Sequence, residues 1–330
     1  MLCTDEQSEL GSNAGCMTAR AWQVIAAGVG CQCLVALSTS GALQDLVLTG
    51  ELDSDYIRAA PNPHALQAAL VTLCGCEAVV QKSPGCFCIT DIGRALVELI
   101  GVIRMNFDGY AGLLARQSAL IQGEIADAGC WINGPAVAQA SLLMSEHTIK
   151  PTAMQVCRHL VSAGRICDLG CGSGWMLSTL CQESGLSGLG VELDPEVVAE
   201  ARRTLPSRVE MIQADIGSLV GCWPDVSLVL QFHVFHDFSI IEDCVRIMRA
   251  LLERFPSMEY FVYVDSVAPA VGDGSILPGF DYDHGLQGKT MRTRDETLTM
   301  FERSLYEVQN EMTIPGLPQT YLWVLKPKRS

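Results

Sequence analysis

Basic residues are scarce in this chain: Lys and Arg number 22 against 37 Asp and Glu, a formal net charge of −15. Long-range repulsion therefore opposes a phosphate backbone, and a nucleic-acid partner is excluded from the expected functions. Aromatic residues make up only 6%, so an aromatic ligand would have to share Phe107, Tyr110, Trp131, Phe232 and Phe280. Structural zinc patterns are missing too. Three C-x-C pairs occur, Cys31/Cys33, Cys74/Cys76 and Cys86/Cys88, without the C-x-x-C repeats and histidines of a zinc module. The 15 cysteines are odd in number and sit in apolar segments of a long chain, which argues against a disulfide framework and for free thiols in a reducing cytoplasm. Most read as small core fillers. No basic start precedes the first apolar stretch, which follows Asp5, Glu6 and Glu9, so a signal peptide is not expected. Between Arg20 and Asp45 no charge occurs, a length able to cross a bilayer. Yet Gln23, Gln32, Ser38, Thr39, Ser40 and three glycines interrupt it, so a buried interface helix, and no membrane span, is expected.

What is present begins with size: 330 residues, 49% of them hydrophobic, suffice for two domains. The most informative stretch is 165–174, R-I-C-D-L-G-C-G-S-G, where a buried strand ends in Asp168 and a glycine-rich turn opens a helix. Such a turn lets a ligand approach the backbone closely. A second strand, 188–193, carries Glu192 near its end, where a carboxylate can hold the two hydroxyls of a ribose. The pair marks a nucleotide-cofactor site. From residue 164 onward strands at 165–169, 188–193, 209–216, 226–232 and 259–267 alternate with helices opened by Gly174 and Pro195. This alternation predicts a parallel sheet covered on both faces by helices. A helix over 294–304 and two strand-like runs, 306–314 and 320–325, close the chain. Earlier, residues 1–100 alternate helical patterns with turns, and 86–96 reads as a short strand, a Thr90 cap and a helix. Residues 101–163 are mostly helical, with amphipathic runs over 110–125 and 135–160.

The turn D-L-G-C-G-S-G, with Glu192 and Asp215 downstream, resembles the first motif of S-adenosylmethionine (SAM) dependent methyltransferases and not the G-x-G-x-x-G of dinucleotide enzymes. The resemblance implies a Rossmann-like class I α/β sheet, its last strand antiparallel. It also implies a winged-helix-like dimerisation domain over 1–100, a helical linker over 101–163 lining the substrate pocket, and a SAM-binding domain over 164–330. By the same resemblance Asp168 lies beneath the methionine amino group, and the Gly170–Gly172 turn meets the cofactor. Glu192 takes the ribose, Asp215 the adenine amino group, and Ile216 packs on the ring. His233, read as extended strand, lines the SAM pocket.

Residues 230–238, L-Q-F-H-V-F-H-D-F, are similar to the O-methyltransferase segment whose histidine is a general base, which places His236 in that role. The stretch 279–289 departs from that pattern at His284. That departure is what the α-keto acid C-methyltransferases of bacterial specialised metabolism and antibiotic biosynthesis show, and the chain is identified as a member of that family. Membership implies one divalent or trivalent metal ion, iron or zinc, held by His236, His284 and Asp237, with Asp237 either a ligand or an orienting group. It implies methyl transfer from SAM to the β-carbon of an α-keto acid through a metal-stabilised enolate, in a cytoplasmic homodimer. Arg116 is expected to meet the substrate carboxylate. Carboxylates at Asp108, Glu124, Asp281 and Asp283 point to 5-guanidino-2-oxopentanoate, in 3-methylarginine biosynthesis. Phenylpyruvate and 4-methyl-2-oxopentanoate are the alternatives. Two other readings are a metal-free O-methyltransferase with His236 as base and an inert SAM-binding or transcription-related dimer. The missing basic recognition helix counts against the last.

Overall fold

The chain divides at Phe107 into two units, Met1–Phe107 and Asp108–Ser330; the computed structural model describes residues 6–160, 163–270, 277 and 279–328. Residues 101–107 of the expected linker fall in the first unit and the rest in the second. Asp5, part of the acidic start, lies outside the described residues.

The first unit runs α1 (Glu6–Ser40), α2 (Ala42–Thr49), β1 (Glu51–Leu52), α3 (Ser54–Ala59), α4 (Pro63–Gly75), β2 (Val79–Ser83), β3 (Cys86–Ile89), α5 (Asp91–Glu98) and α6 (Ile100–Arg104). Its three strands pair antiparallel in the order β1-β3-β2. Here the expected strand, cap and helix stand together: Thr90 Oγ1 accepts from Gly93 N at 3.0 Å, satisfying a first-turn donor of α5. Position 93 requires glycine, because a Cβ would lie 2.1 Å from the Ala78 carbonyl. Leu46, Leu70, Leu73 and Phe87 are fully buried and form the core. The Cys86 and Cys88 thiols both face Glu51, donating to Oε2 at 3.8 and 3.5 Å. Helix α1 is not buried within a single chain, since Trp22, Val24, Ile25 and Val29 are 65, 73, 55 and 47% exposed.

In the second unit the predicted run 110–125 is two short helices, α7 (Ala111–Leu114) and α8 (Gln117–Ile121). Tertiary contact overrides periodicity there: Gly112 lies so close to the Trp131 carbonyl that a Cβ would stand 2.5 Å from it. The Arg116 guanidinium stacks on the same residue's ring. The run 135–160 also breaks, into α9 (Gly134–His147) and α10 (Ile149–Leu160). Pro151 has no N–H to donate to the carbonyl of residue 147 and its ring crowds that carbonyl. Thr148 Oγ1 instead donates to Met144 O at 2.6 Å.

Seven strands follow: β4 (Arg165–Leu169), β5 (Ser187–Glu192), β6 (Val209–Gln213), β7 (Val226–Phe232), β8 (Tyr260–Ser266), β9 (Tyr306–Thr313) and β10 (Thr320–Pro327). Between them lie α11 (Trp175–Ser184), α12 (Pro195–Thr204), α13 (Ile241–Arg254), α14 (Phe280–Leu286) and α15 (Arg294–Arg303). The sheet order is β6-β5-β4-β7-β8-β10-β9. Strands β4 to β8 are mutually parallel and β10 runs antiparallel to β8, the expected Rossmann-like methyltransferase sheet. Chain order reverses on either side of β4, so a ligand crevice opens at its C-terminal end. The third predicted strand stops early, at Gln213, because the Asp215 side chain accepts from Gly217 N at 2.8 Å and starts a tight helical turn. Several of the chain's few aromatics serve the core: Tyr263, Phe301 and Trp323 are buried, with Tyr263 and Phe301 ring centroids 4.9 Å apart.

Candidate active site

The first part of the site is a cleft of about 290 Å³ at the end of β4, lined among others by Asp168, Gly170, Gly172, Glu192, Phe232 and His233. The turn is built from left-handed glycines, with φ of 68° at Gly170, 54° at Gly172 and 71° at Gly174. At Gly170 space also forbids a side chain, since a Cβ would lie 2.4 Å from Val234 Cγ2. Asp168 is 2% exposed and its Oδ1 has no hydrogen-bond partner among the described residues. Burial, aided by the nearby Glu192 charge, pushes its carboxyl well above the usual range. A buried acceptor left this way is destabilising unless a ligand donates to it, and an ammonium group is the donor that fits a carboxylate. Glu192 is held by three backbone amides: Gly172 N to Oε2 at 2.9 Å, and Leu193 N and Asp194 N to Oε1 at 2.8 and 3.0 Å. Its remaining lone pairs can take hydroxyl donors.

Asp215 stands one strand further out, beyond the β6 residue that pairs with Glu192. Neither it nor Ile216 lines the cleft. Ile216 is 8% exposed and packs in the core cluster around β4 and β7. His233 does line the cleft, but not as extended strand. Its φ is 54°, and its Nε2 lies 3.0 Å from Ser266 Oγ.

The second part gathers at the ends of β7 and β8. A short turn, Phe235–Asp237, presents His236 and Asp237, and α14 brings in His284. One nitrogen from each ring and one Asp237 oxygen all lie within 4.8 Å of one another. Both rings have their Nδ1 engaged. His236 Nδ1 lies 2.7 Å from Asp265 Oδ1 and His284 Nδ1 lies 2.7 Å from the Phe280 carbonyl. Since both partners only accept, each Nδ1 carries a proton, and in the neutral ring each Nε2 presents a lone pair. Asp237 is 2.5 Å from Lys289 Nζ through Oδ1, leaving its other oxygen available. Burial and the His236 charge lower the His284 pKa to about 4. Burial likewise opposes a charge on His236, but the Asp265 carboxylate outweighs it and raises that ring. Such a donor set, imidazole, imidazole and carboxylate, suits a transition-metal cation.

The sequence reading missed three residues of this frame. Asp265, 2% exposed, takes His236 Nδ1 and Ser266 N on Oδ1, and His236 N and the Tyr263 hydroxyl on Oδ2. An acid at the end of an otherwise apolar strand was the available signal. Gln231 is fully buried and spans the gap between the strand ends, donating to Val264 O and accepting from Val234 N. Arg292 clamps the turn by donating to the Phe235 and Phe238 carbonyls at 2.6 and 2.5 Å. Arg116, expected at the substrate, lies 3.5 Å above the Trp131 ring and donates to Gly112 O. It has no hydrogen bond or ion pair to the histidines or Asp237 among the described residues. Tyr110 and Phe280 do join the histidines. Glu124 and Asp281 are exposed, whereas Asp283 is buried.

Comparison with known proteins agrees with this geometry. The methyltransferase domain family matches residues 166–254. The indolepyruvate C-methyltransferase of Streptomyces griseus is 30% identical over 295 residues, covering 86% of this chain and 88% of that protein. Among solved structures, the chain is similar to CalO1, a methyltransferase in calicheamicin biosynthesis in its SAH-bound form. The TM-score is 0.65 at 20% identity, across 98% of this chain and 99% of that one. The mitomycin 7-O-methyltransferase MmcR gives a TM-score of 0.66 at 18% identity, across 98% of this chain and 100% of that one. At these identities the two structures speak to fold alone.

Proposed function

The chain belongs to the SAM-dependent methyltransferases that include indolepyruvate C-methyltransferase, and from that membership we propose that it methylates C3, the β-carbon, of a free α-keto acid. The observation that carries the carbon acceptor is the convergence of the two imidazoles and Asp237. A hydroxyl acceptor needs one base, whereas a CH₂ beside a ketone needs its enolate stabilised. The relative's name denotes carbon methylation of indolepyruvate, itself an α-keto acid. His236 Nε2, His284 Nε2 and Asp237 would hold iron or zinc. Bound there, the ion supplies a Lewis acid toward the keto oxygen and carboxylate of the acceptor, easing loss of the C3 proton.

The chain's own residues do the positioning. Asp168 takes the SAM ammonium, the Gly170–Gly172 turn gives the methionine end close access to the backbone, and Glu192 accepts from the ribose hydroxyls. Asp215, at the end of the neighbouring strand, would accept from the adenine amino group. Asp265 and the Phe280 carbonyl keep both rings in the ligating tautomer, Lys289 fixes one oxygen of Asp237, and Phe280 and Tyr110 exclude water. Arg116, stacked on Trp131, is given no role in this reading.

The test is to give the holoenzyme SAM with indolepyruvate, phenylpyruvate, 4-methyl-2-oxopentanoate and 5-guanidino-2-oxopentanoate, and to locate the new methyl by NMR. A methyl on C3 is expected, together with exchange of C3 hydrogens in D₂O when SAM is withheld. A methyl on oxygen with no such exchange would refute the proposal.

We further propose that the protein acts as a cytoplasmic homodimer through α1. Segment Arg20–Ser40 is long and apolar enough to cross a membrane by length and composition. The polar Gln23, Gln32 and Ser38–Ser40 suit a protein partner better. Trp22, Ile25 and Val29, spaced i, i+3 and i+7, form an exposed apolar face of the kind a second copy covers. Light scattering should give twice the chain mass, and Trp22→Glu with Val29→Glu should halve it. A monomer in the unaltered protein would count against this assembly.

A further inference from the structure

Resting on the keto-acid reading above, we infer that Asp283 selects the acceptor's side chain by accepting a hydrogen bond from an N–H group on it. Asp283 sits on α14 immediately before His284. It is 2% exposed, and its Oδ1 has no partner among the described residues. Two residues earlier on the same helix Asp281 is in water, so the helix has room for a solvated acid and holds this one inside regardless. A buried acceptor with no donor is retained where a bound molecule supplies the donor.

Asp283 directly precedes His284 on α14, and ring contacts lead from the cofactor cleft through that histidine to Tyr110. From the cofactor cleft, lined by His233, ring centroids step 5.9 Å to His236, 4.9 Å to His284 and 6.3 Å to Tyr110. The Tyr110 hydroxyl is raised by its burial and by the carboxylates of both Asp237 and Asp283, so both carboxylates lie near it. An α-keto acid anchored by its keto oxygen and carboxylate at the histidines, with C3 toward the cleft, extends its side chain past Tyr110 to Asp283.

A carboxylate there can only accept when ionised. A phenyl or isobutyl group would leave Oδ1 desolvated and unpaired; an indole N–H or a guanidinium would not. The ligand class is therefore a keto acid with an N–H donor on its side chain.

The experiment compares kcat/KM for matched pairs, with enzymes at equal iron or zinc content. Indolepyruvate is paired with its benzothiophene analogue, and 5-guanidino-2-oxopentanoate with its hydrocarbon isostere. In the unaltered enzyme one N–H member should exceed its partner by about 100-fold or more. Asp283→Leu should bring that ratio to near one while the analogue keeps its rate, with SAM affinity by calorimetry unchanged. Asp283→Asn separates the two sources: its amide oxygen still accepts from a neutral indole, so that ratio survives in part, whereas a guanidinium loses its counter-charge and falls as far as in Asp283→Leu. Equal turnover within both pairs, or an equal loss of both members in Asp283→Leu, overturns the inference and leaves C3 methylation standing. If no keto acid accepts a methyl group, both fall.

Discussion

Replacing His284 by Ala should give a folded protein that binds SAM with near-native affinity, retains no iron or zinc after dialysis, and methylates C3 about a thousandfold more slowly. The magnitude follows from the chemistry: Lewis-acid stabilisation of the developing enolate supplies several kcal/mol, and roughly 4 kcal/mol is a factor of about 10³. His284 is 1% exposed, its ring 4.2 Å from that of Phe280 and 6.3 Å from that of Tyr110. Truncation therefore also leaves a cavity, at a stability cost of about 1–3 kcal/mol. That loss is separable. On the proposed reading SAM meets Asp168, Glu192 and the glycine turn, none of which has a hydrogen bond or ring contact to His284 among the described residues, so cofactor affinity reports folding independently of the cation. Strong chelation of the unaltered enzyme should reproduce the activity loss with no loss of stability from packing. If the variant keeps one equivalent of iron or zinc, or activity within tenfold of the unaltered enzyme, the three-ligand centre is wrong.

The parts of this molecule legible in the sequence are those that local chemistry decides. The turn after β4 could be read because glycine at 170, 172 and 174 answers to left-handed backbone, and Thr90 because a cap needs only its own first turn. The strand alternation was legible since buried parallel strands must be apolar throughout. What resisted reading lies in contacts between distant segments. Nothing within residues 110–125 announces that Gly112 and Arg116 will be claimed by Trp131. Pro151, by contrast, was a visible reason to break the next helix at residue 147. His236 and His284 were read together through family resemblance alone. The contacts that fix their tautomers come from Asp265, 29 residues past His236, and from a backbone carbonyl one helical turn before His284. Ile216 was read as a ligand contact, and its packing in the core cluster was not visible from its neighbours in sequence.

The second large effect is expected at Asp265, which touches no substrate. All four groups that meet its carboxylate are donors: His236 Nδ1 and Ser266 N at Oδ1, His236 N and the Tyr263 hydroxyl at Oδ2. Asp265→Asn must turn an NH₂ toward one of these pairs. At the Oδ1 side it faces the ring, and His236 can relieve the clash only by moving its proton to Nε2, which removes the lone pair a cation needs. At the Oδ2 side it opposes the His236 backbone amide and shifts the turn that carries Asp237. Either way cation affinity should fall about 10- to 100-fold, the usual cost of losing the group that orients a ligating histidine. Stability should fall by about 1–3 kcal/mol, since a buried donor loses its acceptor.

The pH dependence of that deficit carries a sign that checks the account. Burial works against the Asp265 charge, but His236 overcomes it and holds the carboxyl below its ordinary value. The stabilisation is therefore present above the ordinary carboxylate pKa and lost as pH falls through the depressed one. For His236, burial is outweighed by Asp265 and the ring is raised; its share is complete below about pH 6.5 and lost as pH rises through the raised value. The metal-free variant should thus lag the metal-free parent most between about pH 4 and pH 6.5, the gap narrowing on both sides. Denaturant melts across that range, with cation titrations at neutral pH, supply both readings. A deficit independent of pH, with undiminished cation affinity, would mean that Asp265 neither shares charge with His236 nor sets its tautomer.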